Sequence, residues 1–172
     1  IRDFRQSGIY LYGYGSQISH VRANYNKDYG IYAIFIGNLD SNIAMFNGDH
    51  GIYGGTGVTI IGNSASANGG FGIYGANGCS VTNNSSSYNK KHGIYCGLGC
   101  LVTENSSKEN YWAGISASDH NNIIDNTVWK NQSDGIAVSN NNRISGNNCS
   151  QNGYSSNTGA GIMVYGDSNT IE

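Results

Sequence analysis

One spacing constrains this chain more than any other feature. The dipeptide Gly-Ile recurs at Gly8-Ile9, Gly30-Ile31, Gly51-Ile52, Gly72-Ile73, Gly93-Ile94, Gly114-Ile115, Gly135-Ile136 and Gly161-Ile162, at intervals of 22, 21, 21, 21, 21, 21 and 26 residues. Other columns keep the same beat. Nine residues after the Gly stand Leu39, Ile60, Val81, Val102, Ile123 and Ile144. Twelve after it stand Asn42, Asn63, Asn84, Asn105, Asn126 and Asn147, and seventeen after it Asn47, Asn68, Asn89, Asn110, Asn131 and Asn152. A fixed period marks a repeat architecture, in which no unit buries its apolar face alone and each stacks on the next.

A period of 21 residues is too short for paired helices, and the chain has too little Leu for a leucine-rich repeat. It suits one rung of a solenoid made of three short strands and three turns. Gly (26 residues), Asn (25 residues) and Ser are poor in helix interiors, which excludes helix as the main element. Pro is absent, as expected where it would delete a donor from every central strand. Within a strand, alternation turns the Ile after Gly inward, the next residue outward and the third inward. That third position holds Leu11, Ala33, Gly54, Gly75, Cys96, Ala117 and Val138, mostly small, as a narrow core requires. An Asn amide both donates and accepts, so identical Asn on successive rungs can form ladders, and Asn tolerates the left-handed backbone of a sharp turn.

The expected fold is therefore an all-β, single-stranded parallel solenoid of about eight rungs. It is one domain over 1–172, roughly 40 Å long at ~4.8 Å per rung, with no capping helix. The first rung carries one extra residue, placed near Ser19-His20-Val21, and the seventh carries five, within Gly153 to Thr158, expected to project as a loop. With no initiator Met and no leader, the chain reads as a mature or excised segment. Both ends look like interrupted rungs, and since solenoids need caps, further chain or a second copy is expected to cover them. The sequons at Asn84 and Asn105 sit in the ladder and make poor glycosylation acceptors.

The rung Gly93-Ile94-Tyr95 … Val102-Thr103-Glu104-Asn105-Ser106 … Asn110 resembles the right-handed parallel β-helix repeat of pectate-lyase-like proteins. It is most similar to the short-rung type of mannuronan C5-epimerases and periplasmic copper-maturation β-helix proteins. The resemblance covers essentially the whole chain and implies a right-handed coil. It leaves function open among lyases, hydrolases, epimerases, tailspikes and adhesins. The epimerases carry Asp-Pro-His directly after the Gly-aliphatic pair. Here that place holds Tyr53-Gly54-Gly55, and Asp119-His120 falls three residues late, so their catalytic residues do not carry over.

Three clusters are candidates for chemistry. Tyr10, Tyr32, Tyr53, Tyr74 and Tyr95 follow Gly-Ile in five consecutive rungs and face outward, and Ser116 and Ala137 continue the column. Aromatic rings with hydroxyl tips suit sugars, while plain cross-rung stacking or a packing surface for another chain are the alternatives. Just before the Gly of rungs two to five stand Asp28-Tyr29, Asp49-His50, Gly70-Phe71 and Lys91-His92. Asp49, His50, Lys91 and His92 form a mixture that could move a proton beside a uronic carboxylate, or be an aromatic stack in a turn. Glu104 and Asp125 share one position on neighbouring rungs. They form a pair able to bind Ca²⁺ or act as a retaining glycosidase pair, or one simply solvated. Cys79, Cys96, Cys100 and Cys149 read as small buried hydrophobes, with a Cys79–Cys100 bridge geometrically possible.

Only 12% of residues are charged, the net charge is −2 and Lys plus Arg number 9, which argues against a nucleic-acid binder. No apolar run approaches the ~20 residues that cross a bilayer. The expected function is a secreted, surface or periplasmic module that binds an acidic polysaccharide along the Tyr-lined sheet, with its processing left open. A lyase, C5-epimerase or glycoside hydrolase would be the enzyme classes. The alternative is a structural solenoid that self-assembles through uncapped ends or its Tyr face.

Overall fold

A strand of three residues can send only its first and third side chains the same way, and this chain uses that limit throughout. In the computed structural model, which describes residues 1–35, 37–155 and 159–172, the strands Ile31–Ala33, Ile52–Gly54, Ile73–Gly75, Ile94–Cys96 and Ile115–Ala117 each bury both ends and leave the middle residue partly exposed. Three such strands make a rung. They stack into three parallel sheets: eight strands from Ile9–Leu11 to Ile162–Val164, eight from Ser16–Ser19 to Thr170–Ile171, and seven from Arg22–Asn24 to Asn148–Ser150. The solenoid thus completes about seven turns, one fewer than the eight Gly-Ile marks suggest, because the eighth rung lacks its third strand. No α-helix occurs among the described residues, and none is long and apolar enough to cross a membrane.

The sequence columns are spatial columns. Ile31, Ile52, Ile73, Ile94, Ile115 and Ile136 are fully buried in register, and opposite them stand Leu39, Ile60, Val81, Val102, Ile123 and Ile144. The third sheet contributes Ala23, Ala44, Ala65, Ser86, Ser107 and Val128. The two inward hydroxyls of this column are satisfied, since Ser86 donates to the Gly93 carbonyl at 2.6 Å and Ser107 to that of Gly114 at 2.7 Å. The Gly of each Gly-Ile pair has a steric reason. A β-carbon on Gly51 would lie 2.6 Å from Asn68 Nδ2 and 2.7 Å from the Gly72 carbonyl oxygen.

Two buried Asn ladders flank the third sheet. Along Asn42 to Asn147, each backbone N–H and each Nδ2 donates to the Oδ1 of the next rung's Asn, at 2.8 to 3.1 Å. The second Nδ2 proton goes back to a carbonyl, as from Asn63 to Leu39 at 2.7 Å. The other ladder runs from Asn26 through Asn47 to Asn152 in the same way. Every donor and acceptor of a mid-ladder amide is therefore used. The left-handed backbone, however, belongs not to the ladder Asn but to the residue before it: Ser41, Gly62, Asn83, Glu104 and Asp125 in one turn, and Phe46, Ala67, Tyr88, Glu109, Lys130 and Gln151 in the other.

A third, shorter ladder joins Asn121, Asn142 and Asn169, and two thiols extend it. Cys100 N–H donates to Asn121 Oδ1 at 2.7 Å, and Cys79 N–H to Cys100 Sγ at 3.4 Å. Each thiol donates back to a carbonyl, Cys79 to Gly55 and Cys100 to Ala76, as the Asn amides do. All four cysteines are free thiols. Hydrogen bonding to Cys100, then burial, holds the Cys79 and Cys96 thiols above their ordinary value.

The register also moves one irregularity. Leu11 pairs with Ala33 but Ser16 with Gly37, so the extra residue of the first rung lies in Tyr12–Gly15 and not at Ser19-His20-Val21. Of the long seventh-rung insertion, residues 153–155 are described. Its remainder, and with it the expected projection of the whole loop, lies outside the described residues.

Replacing Asn84 by Ala leaves the donors of Asn63 and the Ile60 carbonyl without partners in a dry interior. A loss of about 3 kcal/mol is expected, read from urea unfolding. A change within about 0.5 kcal/mol, typical of an unremarkable surface site, would show that the ladder does not stabilise the rod.

Candidate functional site

The outer face of the first sheet is an aromatic wall. Tyr10, Tyr32, Tyr53, Tyr74 and Tyr95 stack one above another, with ring centroids 4.9, 4.5, 4.7 and 5.0 Å apart. Parallel register places one Tyr per rung, and strand separation sets a spacing that aromatic pairs favour. Because the rings lie on each other, their faces are spent within the column. Solvent meets ring edges and hydroxyls, and only the Tyr10 end is largely open, at 62% exposure. The broad ring-face platform expected from alternation alone is therefore narrower than the sequence implies. Burial, and then the neighbouring phenols, push Tyr32, Tyr53 and Tyr74 above the ordinary phenol value.

A second column packs against the first. Tyr29 tilts on Tyr32 at 4.7 Å, His50 on Phe71 at 4.7 Å, and Phe71 stacks with His92 at 5.5 Å and with Tyr95 at 5.5 Å. Trp112 closes the row edge-on to His92 at 5.0 Å. Lys91 folds back along it, its Nζ 5.3 Å from the Phe71 ring and 5.9 Å from that of Trp112. The structure thus brings Asp49, His50, Lys91 and His92 together on one aromatic surface. It does not bring Glu104 and Asp125 there. Those two occupy exposed left-handed turn positions between the second and third sheets. Among the described residues no cluster of three or more His, Cys, Asp or Glu is placed to hold a metal.

Asp49 and His50 form the one close pair of proton-handling groups in the wall, Oδ1 to Nδ1 at 2.7 Å. Gly70 makes room for them, since a β-carbon there would run into both His50 Nδ1 and Asp49 Oδ1. The same Nδ1 lies 3.2 Å from the Phe71 N–H. One nitrogen cannot donate to a carboxylate and accept from an amide at once, so the two contacts belong to different tautomers of the ring. Burial lowers the His50 pKa, against the opposing pull of Asp49 and with a smaller contribution from Lys91. His92 has a fixed role, its Nδ1 accepting from the Ala113 N–H at 3.1 Å. Burial pushes its pKa down to about 4. The His92 ring is neutral at pH 7.

Three neighbours escaped the sequence reading. Trp112 stands two residues before Gly114, in the column of Asp49 and Lys91. Asp134 occupies the column of His50 and His92, buried, with Oδ1 accepting from the Ala160 N–H at 2.8 Å. Tyr165 approaches its Oδ2 at 3.5 Å. The Gly-Ile period places the first two, but an isolated acid and an isolated indole carry no pattern of their own. Asp119, the nearest match to the epimerase motif, is engaged by the N–H and Nδ2 of Asn140.

A parallel three-sheet coil with an aromatic outer face defines the class. The family described as "Right handed beta helix region" matches residues 7–172, and the chain belongs to it. Among solved structures it is similar to the mannuronan C-5 epimerase AlgE6 A-module of Azotobacter vinelandii, with a TM-score of 0.75 and 17% identity over 92% of this chain and 57% of that one. It is also similar to the pectate lyase Pel9A, with a TM-score of 0.65 and 14% identity over 92% and 55%, and to the periplasmic alginate epimerase AlgG, with a TM-score of 0.59 and 18% identity over 96% and 47%. These likenesses show the fold, and the chain spans little more than half the length of the longest-matched of them. No curated protein matches the sequence.

The His92 geometry gives stability a pH dependence. Above pH ~6.5, the unfolded value, neither state holds the proton and the full contribution is present. As the pH falls below that value the unfolded chain binds a proton first, and stability is lost until the folded pKa of about 4 is reached. The loss approaches about 3 kcal/mol. Unfolding midpoints measured between pH 7 and 4 should therefore decline more steeply in the wild type than in His92→Phe, which keeps the aromatic contact but has no titrating ring.

Proposed function

We propose that the chain binds an acidic polysaccharide along the aromatic wall of its first sheet. The observation that carries this reading is the unbroken run of five stacked tyrosines, edged by Tyr29, His50, Phe71, His92 and Trp112, with the Lys91 ammonium above it. A repeating surface, one set of contacts per ~4.8 Å rung, suits a repeating polymer. Phenol hydroxyls and ring edges can meet sugar hydroxyls and C–H groups. Lys91 would neutralise a carboxylate resting on Phe71. The named activities of the similar structures, epimerases of mannuronan and alginate and a pectate lyase, lend support, as does the periplasmic setting of one of them to an extracellular or periplasmic location.

Any turnover on this surface would fall to the Asp49–His50 pair as base and acid, with Lys91 over the uronic carboxylate and His92 beside it. The alternative reading is a structural solenoid that self-associates; the Tyr faces, already satisfied by each other, favour a structural role for the column.

Alginate and polygalacturonate binding, followed by affinity electrophoresis, should fall at least about tenfold, one 1.4 kcal/mol contact, when Tyr53 and Tyr74 are both changed to Ala. Lys91→Ala should weaken the acidic polymers more than a neutral glucan. Unsaturated-product absorbance reports any lyase activity. Loss of polymer binding in none of these variants, together with concentration-dependent rods in the ultracentrifuge, would favour the structural reading instead.

A further inference from the structure

A second concave feature lies away from the wall, where the third sheet turns back toward the first on rungs five to seven. Glu109, Lys130 and Gln151 directly follow the paired strands Ser106–Lys108, Thr127–Trp129 and Asn148–Ser150, so they form a column one rung apart. In earlier rungs this column is apolar and mostly exposed: Tyr25, Phe46, Ala67 and Tyr88, with Tyr25 stacked on Phe46 at 5.0 Å. At rungs five to seven it becomes carboxylate, ammonium and amide. There a cavity of about 540 Å³ opens, lined by Glu109, Lys130, Gln151, Asn152 and Tyr154.

The groups around it are held by neighbours on the same face, and hydrogen bonding to the Glu109 carboxylate holds the Tyr88 phenol above its ordinary value. Lys130 Nζ stands 4.6 Å over the Trp129 ring, and Trp129 Nε1–H donates to Gln151 Oε1 at 3.1 Å, which fixes the indole and the amide together. Among the described residues, Glu109 and Lys130 form no ion pair although they are neighbours of opposite charge. Tyr154 comes from the rung lengthened by five residues, and beside it Ser155 Oγ lies 3.3 Å from Gln132 Oε1.

We propose that this cavity is a separate site for a single pyranose ring, such as the terminal residue of an oligosaccharide. The volume lies within the usual range for small-ligand pockets. Sugar hydroxyls donate and accept, as a carboxylate, an ammonium and an amide in one cavity together require, and the Tyr154 ring supplies an apolar side. A simple anion meets Glu109, a simple cation meets Lys130, and an apolar ligand would strand both charges. The site shares no residue with the tyrosine wall, so it extends the proposed function without depending on it.

Trp129 can report its occupancy. The chain has two Trp, and in a Trp112→Phe background Trp129 is the sole indole. Titration with neutral hexoses and their β-linked disaccharides should give a saturable emission change. Lys130→Ala and Tyr154→Ala, added singly, should each weaken binding about tenfold, the scale of one lost contact. The response should persist when Tyr53→Ala and Tyr74→Ala are introduced, so failure of this site and failure of the wall are told apart. Tyr154 is an exposed loop residue, and an unchanged circular dichroism spectrum confirms that its variant keeps the solenoid. No saturable change with any sugar, an undiminished response in Tyr154→Ala, or a saturable response to the zwitterion betaine alone would overturn the proposal.

Discussion

The amide-to-amide hydrogen bond between rungs is what the rest of the molecule depends on. A three-residue strand makes too few contacts to define its own register. Each rung is instead located by two Asn side chains whose every donor and acceptor is answered by the rungs above and below. Such a device tolerates no slippage between its two anchor points. That explains where the chain allows extra residues: Tyr12–Gly15 lies before Val21 and Asn26, the first rung's places in the two ladders, and the seventh-rung insertion begins just after Asn152. The five residues from one ladder to the other, as from Asn42 to Asn47, never change in number.

The same constraint overrides local preference. Phe46, Tyr88 and Lys130 sit in left-handed backbone, a conformation unfavourable for bulky residues, because the ladder Asn that follows each must turn inward. The period, the inward columns and the two long ladders were legible from spacing alone. The left-handed positions were attached to the wrong residue, since composition points to Asn while geometry needs the one before it. The third ladder was hidden because Cys79 and Cys100 continue it in different chemistry and Asn169 is reached only after the insertion. A thiol replacing an amide keeps one donor and one weak acceptor, enough for geometry and invisible to a pattern of letters.

The aromatic wall was legible as a column but not as a surface. Alternation tells which side of the sheet a Tyr occupies and is silent on how its ring turns. The structure resolves this in favour of ring-on-ring stacking, leaving edges and hydroxyls outward. The neighbouring His column looked like catalytic machinery in the sequence, yet His92 serves the backbone, as a rung-to-rung acceptor for Ala113. His50 alone sits between that duty and a carboxylate. Gly70, unremarkable by itself, is what lets Asp49 lie against the ring, and Lys91 reaches one rung back to join them.

In the ladders, each Asn presents its oxygen toward the rung that precedes it in sequence, and its backbone N–H and one Nδ2 proton toward the one that follows. The amide dipoles of three ladders are therefore parallel, giving the rod an axial polarity akin to that of a helix. Each turn thus meets the following one through donors and the preceding one through an amide oxygen, so the two directions along the rod are chemically unlike.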